Sequence, residues 1–454
     1  MAYTTTTTRS YGTRVKDSFG GMLTGLVLFV AGTCLLWWNE GRAVKTDKML
    51  NRAEGVCVDV ENVSKVDPEL DGQLIHATAD AVTNDILRFS NFGVNTNAIA
   101  LSKSAKYYMW VEHAHTEKKD KIGGSEEITT TYTYTKEWVS MPVSSDGFED
   151  PEYRGIFNKP VLTTEMETVY AQNVTFGAYT LPESIIQRIS GNSPAYPQPT
   201  DEQLKEWDNS IKTFRQQNKL TVYDKNVVVD PAAVKSIPVE TDSLKADSAA
   251  ATTPQPTTEA PELNNKYTAT YVHVVDNQLY FGYNPSVPEV GDVIITFNQV
   301  DPGKISILAT VSGNTFKKHV DKKNGKSLLS VSRGDVSMEE MFQQEHEANN
   351  MLLWVFRIIG VLLVIAGLKM FFNILTILLK VLPFLASIMN FGVGLVCNIV
   401  GIAWSLIVIA LAWLFYRPLI GIALLVVAGG LIYYFNKKGK EKAAEAPADI
   451  PPVE

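Results

Sequence analysis

Apolar and polar positions divide the chain into three parts. Phe19–Trp38 is a run of about twenty almost uncharged residues, the length a helix needs to cross a bilayer at about 1.5 Å per residue. A second apolar block fills Met351–Phe435, and the sequence between the two alternates largely as strands do. The pattern predicts an α+β membrane protein: one N-terminal transmembrane helix, a large β-rich extracytoplasmic body over 39–350, and a C-terminal three-helix membrane segment. The first run ends in Trp37, Trp38 and Glu40 instead of the small residues of a cleavage site, so it reads as a retained anchor. Gly21 and Gly25 within it have the spacing that permits close helix packing. Residues 1–18 are Thr-rich and basic without apolar period, and read as a disordered cytoplasmic tail.

In the body, Lys106–His115 sets Tyr107, Met109 and Val111 on one strand face and Tyr108, Trp110 and Glu112 on the other. Thr116–Ser125 reads as the following loop and Thr129–Trp138 as the next strand. Asp71-Gly72 signals a hairpin between Val66 and Leu74–Ala77. Alternating residues from Val293 to Phe297 and from Ile305 to Val311 flank Asp301-Pro302-Gly303, and these two strands are expected to pair as a hairpin. Leu181–Ser190, opened by Pro182, fits a short helix. Residues 241–261 are dominated by Thr, Ala, Pro and Glu with no aromatic residue, the composition of a flexible insertion into one composite body. Ser337 and Glu340 have capping-box spacing, so the second membrane helix is expected to start near residue 338.

The terminal block divides into spans 351–372, 389–415 and 418–435, followed by a cytoplasmic tail over 436–454. Lys380 and Pro383 interrupt 373–388, which is read as interfacial or re-entrant; counting it as a crossing gives the competing five-span arrangement. Arg9, Arg14 and Lys16 precede the first span, and Lys437, Lys438 and Lys440 follow the last. The positive-inside rule then makes both termini cytoplasmic, with Arg417 on the wrong side. Arg357 lies about six residues, roughly 9 Å, inside its span. It is either a packed bundle charge or, more simply, a snorkelling one, since no acidic residue occurs between Met351 and Phe435.

A net charge of −8 argues against a nucleic-acid partner. Of three cysteines, Cys34 and Cys397 fall in membrane segments, which leaves Cys57 alone in the body and excludes an intrachain disulfide there. There is no phosphate-binding Gly-rich loop, zinc-protease helix or nucleophile elbow, so no cofactor is expected and the reading leans away from an enzyme. His113 and His115 share a strand face but lack a third ligand, which makes them weak metal candidates. Tyr132, Tyr134, Glu137 and Trp138, with Asn158, form a polar-aromatic cluster: a groove for a small molecule, lipid or peptide, or a core under a structured loop. Trp38, Asn39, Glu40, Gly41 and Arg42 form a membrane-exit motif, in which Glu40 and Arg42 either pair locally or stop the helix.

The run Trp38–Val44, the stretch Tyr132–Trp138, the loop around Asn158-Lys159-Pro160 and Pro288–Val293 resemble the transmembrane protein 43 family, also called LUMA, over roughly residues 14–436. The insertion 241–261 and the tail 437–454 depart from it. The resemblance implies a multi-span scaffold that self-associates and organises other membrane or envelope proteins, with the lipid bilayer as its constant partner. Animal relatives reside in the endoplasmic reticulum and inner nuclear membrane and are linked to heart muscle disease and hearing. A eukaryotic member has a luminal body; a bacterial one would sit in the inner membrane with a periplasmic body, without nuclear partners. No catalytic residues carry across. The leading expectation is a non-enzymatic scaffold, ahead of a ligand-binding module, a membrane-tethered enzyme and, last, a channel or transporter.

Overall fold

The computed structural model describes residues 2–224, 267–379 and 383–417, with 383–390 described by backbone alone. The expected insertion 241–261, the span 418–435 and the tail 436–454 lie outside the described residues. The chain forms two compact units. One comprises Met1–Thr7, Arg52–Glu117 and Ile128–Gln343; the other comprises Thr8–Asn51, Lys118–Glu127 and Gln344–Glu454.

The first unit is built on two sheets. The larger has the order β1 (Tyr3–Arg9), β4 (Glu126–Val139), β3 (Ala100–Asp120), β7 (Val293–Val300), β6 (Gln278–Phe281), β5 (Val272–Val275). The second centres on β2 (Leu74–Thr83) and β8 (Gly303–Ser312), with β9 (Ser330–Arg333) on the far side of β8. One core joins them: Ile75 and Ala77 of β2, Tyr107 and Met109 of β3, Phe297 of β7, and Ile305 and Ile307 of β8. β7, from beyond residue 267, pairs antiparallel with β3, so both sides of the long insertion contribute to the same sheet.

The strands around Asp301-Pro302-Gly303 are present, but they do not form the expected hairpin. β7 is flanked by β6 and β3, and β8 by β2 and β9, so the turn carries the chain from one sheet to the other. The physical reason is burial. β8 is buried at seven consecutive positions, Ile305–Val311, and such strands must be covered on both faces. Asp71-Gly72 likewise turns the chain without a hairpin. A short 3-10 helix, Pro68–Leu70, precedes it, and Val58–Val60 pairs parallel with β2 instead. The first half of the expected loop 116–125 is strand, because β3 runs to Asp120, and the turn is confined to 121–125. The helix expected over Leu181–Ser190 is present but shorter, Glu183–Ile186, with Pro182 at its N-cap and not in its first turn. α2 (Asp201–Gln217) opens with a Thr200/Gln203 capping box.

Three helices among the described residues are long and apolar enough to cross a membrane: α1 (Tyr11–Glu54), α3 (Met338–Leu378) and the Phe391–Tyr416 part of α4 (Pro383–Tyr416). α3 begins where the capping signal placed it, with Ser337 Oγ accepting from the Glu340 amide at 3.2 Å. Residues 373–388 do not stand apart as one piece: Asn373–Leu378 continue α3, and Pro383–Ile388 open α4.

In the second unit α1 and α3 pack antiparallel through glycines. A Cβ on Gly25 would lie 2.6 Å from Phe371 N and 2.7 Å from Gly367 O, and one on Gly32 would lie 2.9 Å from Val364 N. Gly21, expected to share this role, has open space around it. The contact spacing is Gly25/Gly32 on one helix and Gly360/Gly367 on the other, two turns apart, which keeps both pairs on one face. Leu36, Val364 and Val408 extend the packing to all three helices.

In place of the expected disordered tail, Tyr3–Arg9 form β1 and the residues from Tyr11 form the first turns of α1. Arg14, counted among the basic residues that orient the first span, is 4% exposed and donates to Gly124 O (2.8 Å) and Asp120 Oδ1 (2.7 Å), with Glu126 at 3.4 Å. The sequence reading set 1–18 and 118–127 on opposite sides of the bilayer; within this unit residues 8–18 and 118–127 pack together. The cause is a guanidinium that exchanges water for two carboxylates and a carbonyl.

Candidate functional site in the helix bundle

The Trp38–Arg42 motif does not end its helix, and Glu40 finds its ion-pair partner on another helix instead of in Arg42. α1 continues to Glu54 through residues that favour helix, among them Ala43, Lys45, Lys48, Met49 and Leu50. Its polar side chains turn toward the other helices. Glu40, 2% exposed, accepts from Arg357 Nε at 2.6 Å and Nη2 at 3.0 Å. Trp413 Nε1 of α4 donates to the same carboxylate at 2.8 Å. The Arg357 guanidinium also lies over the Trp354 ring at 4.9 Å and near that of Trp413 at 5.6 Å. Gly41 is required here because a Cβ would meet the Tyr416 ring at 2.6 Å.

One turn further, Asn39 Nδ2 donates to Leu353 O at 2.9 Å, and Asn349 Nδ2 donates to Ala43 O at 3.0 Å. Arg42 bridges them, donating to Asn39 Oδ1 and, at 3.1 Å, to Asn349 Oδ1. Asp47 receives His346 (3.2 Å) and Arg417 (3.9 Å), so the basic residue that contradicted the charge rule has a local carboxylate. Snorkelling is therefore not what Arg357 does: its partner comes from the first helix instead of the terminal block. A signal was present in the sequence. Two antiparallel helices place a residue just after one apolar run beside a residue a turn or two inside the next.

A bidentate, charge-assisted pair of this kind fixes geometry more than it adds net stability, because removing both ions from water costs about as much as their attraction returns. Its consequence is register. Sliding or rotating one helix strands a charge, so Glu40, Arg357 and Trp413 lock three helices in one arrangement.

The body residues singled out by sequence are engaged by their own chain. Tyr134 donates to Glu112 Oε2 at 2.6 Å, accepts from the Asp150 amide at 2.9 Å, and stacks on Tyr153 with centroids 4.1 Å apart. Burial and the Glu112 carboxylate push its hydroxyl up to about 12. Asn158 accepts from Trp110 N and donates to Trp110 O and Val143 O. Tyr132 lies beside Tyr3, and Trp138 against Tyr108 and Tyr280. Glu137 is on the opposite strand face, 3.4 Å from His113, whose ring nitrogen also meets Thr135 Oγ1 at 2.9 Å. His115 is 3.7 Å from Glu117 and exposed. Among the described residues no group of three His, Cys, Asp or Glu side chains is placed to hold a metal.

Sequence reasoning missed Asp292. It is 1% exposed, accepts from the Tyr280 hydroxyl (2.5 Å) and the Glu289 amide (2.8 Å), and leaves Oδ1 without a hydrogen-bond partner among the described residues. Burial pushes its carboxyl up to about 7, while the two donors pull the other way. Gly282 makes room for it, since a Cβ there would lie 2.4 Å from Asp292 Cγ. Next to it Gly291, at φ +105°, packs on Lys159 O, and the Val161 amide donates back to Gly291 O at 2.8 Å. Trp138, Tyr280, Asp292, Gly291 and Asn158-Lys159 thus form one continuous patch, built from the three body segments that carried the resemblance.

The comparisons agree with that convergence. The family model for Transmembrane protein 43 matches residues 107–418. The chain is 27% identical over 418 residues to Transmembrane protein 43 of Rattus norvegicus, covering 89% of this chain and 87% of the relative. It is 25% identical over 415 residues to the Homo sapiens protein, with 89% and 87% covered. Against the Drosophila melanogaster homolog it is 24% identical over 424 residues, with 91% and 94% covered. No solved structure shows significant similarity to it. The helix pattern, the converging body segments and the match over most of the chain together place this protein in the transmembrane protein 43 family.

Proposed function

We propose that the chain is a non-enzymatic, multi-span membrane scaffold that organises membrane or envelope protein complexes through its β-rich body. The observation that carries this reading is the clamp of Glu40, Arg357 and Trp413. It commits the buried charges of the bundle to one another and fixes α1 against α3, the two helices that flank the body in sequence. The body, joined in sequence to both of these helices, offers its surface to partners, which include further copies of the chain and other membrane proteins. Its compartment follows the family expectation, the endoplasmic reticulum and inner nuclear membrane in a eukaryote or the inner membrane in a bacterium.

The test is purification of the full chain from gently solubilised, cross-linked membranes, with its mass and co-purifying proteins measured. Discrete assemblies or reproducible partners, lost when Arg357→Gln loosens the clamp, are expected. A strictly monomeric protein without reproducible partners would overturn the proposal.

A further inference from the structure

A cleft of about 370 Å³ opens between α3 and α4, lined by Lys369, Met370, Asn373, Thr376, Val393 and Gly394. Thr376 is 2% exposed, and its hydroxyl has no hydrogen-bond partner among the described residues. That is unusual for a helical threonine, which ordinarily bonds the carbonyl four residues back. Gly394 forms the opposite wall, with open space where a side chain would project. The cleft's depth follows from the helix register. Gly25 meets Gly367 and Phe371, and the Tyr11 hydroxyl donates to Leu378 O at 3.2 Å. Asn373 and Thr376 lie between these two levels, opposite the start of the apolar run at Phe19. The cleft therefore sits where acyl chains give way to headgroups, and Lys369, one turn deeper, lines its wall.

We infer that this cleft binds the phosphodiester head of an anionic membrane lipid. Lys369 supplies the cation, and Asn373 and Thr376 supply neutral donors to phosphate oxygens. Met370 and Val393 continue onto the lipid-facing surface, where Leu375, Leu395 and Val396 are exposed, so the first acyl carbons stay in apolar contact. No acidic side chain occurs from Met351 to Tyr416 to receive a choline or ethanolamine cation, which favours a lipid without one.

The test uses the full chain in nanodiscs of equal phosphatidylglycerol and phosphatidylcholine, ejected into a native mass spectrometer. Phosphatidylglycerol adducts are expected to exceed phosphatidylcholine adducts. They should fall roughly tenfold in Lys369→Gln, the loss of one charge-assisted contact, and also in Gly394→Leu, which fills the cleft and leaves the charge. Thr376→Val keeps the side-chain shape and should weaken retention less. Equal retention of the two lipids, or unchanged adducts in Lys369→Gln, would overturn the inference; because Lys369 is exposed, that variant decides the matter even if Gly394→Leu misfolds. In a separate arm, inorganic phosphate added to delipidated protein is expected to leave its melting temperature unchanged. A rise matching that given by phosphatidylglycerol would assign the cleft to free anions and overturn the lipid assignment.

Discussion

Neutralising one side of the Glu40–Arg357 pair tests the clamp most directly. In Glu40→Gln the Arg357 guanidinium, 9% exposed, keeps its burial and loses its carboxylate; Arg357→Gln strands a Glu40 that is 2% exposed. Breaking one member of a buried pair typically costs about 3–5 kcal/mol, whereas replacing both members is often nearly neutral. The double variant Glu40→Gln/Arg357→Gln is accordingly expected to be more stable than either single variant, with a coupling energy of about 3 kcal/mol. At about 2–4 °C per kcal/mol, each single variant should melt roughly 10 °C lower. The assay is equilibrium unfolding of the full chain in mixed micelles, followed by tryptophan fluorescence, to which Trp354 and Trp413 contribute from beside the guanidinium. Trp413→Phe removes only one donor and should cost less than either charge change. Strict additivity in the double variant would refute the argument, because it would mean that the two charges do not sense each other.

Gly25→Leu should disrupt the α1–α3 contact and lower stability, while Gly21→Leu should be tolerated; the same micelle titration separates them. Asp292 gives the body a pH dependence whose sign follows from its raised value of about 7. Its contribution is fully present below the ordinary carboxyl value and is lost as pH rises through 7, because the unfolded chain releases that proton more readily. Wild type should therefore lose stability relative to Asp292→Asn between about pH 4 and 7, measured by paired melting curves; parallel pH profiles would contradict the assignment. Cysteines placed at Thr13 and Ile122 in a Cys-free background should be labelled by an impermeant maleimide from the same membrane face, since Arg14 holds the 118–127 turn. Labelling from opposite faces would refute that packing.

The sequence by itself determined what depends on neighbours within a few turns. It located the apolar runs inside α1, α3 and α4, the start of α3 at its Ser337 cap, the strand character of β4, β7 and β8, and the family, through short motifs that survive intact. Tertiary structure decided which elements meet. Period and propensity describe a strand's faces but not its partner, so β7 and β8 were legible as strands while their separation into two sheets was not. Glu40 looked like the end of a helix because its counter-ion lies more than three hundred residues away, on another helix. Asp292 looked ordinary because burial, which raises its proton affinity, is a property of the folded surroundings and not of the residue. Arg14 similarly changed from one of the basic residues that orient the first span to a buried tie once a distant turn supplied its carboxylates. Local sequence sets backbone preference through short-range sterics and hydrogen bonding; long-range pairing is set by which surfaces can exclude water together, and that is settled only when the chain has folded.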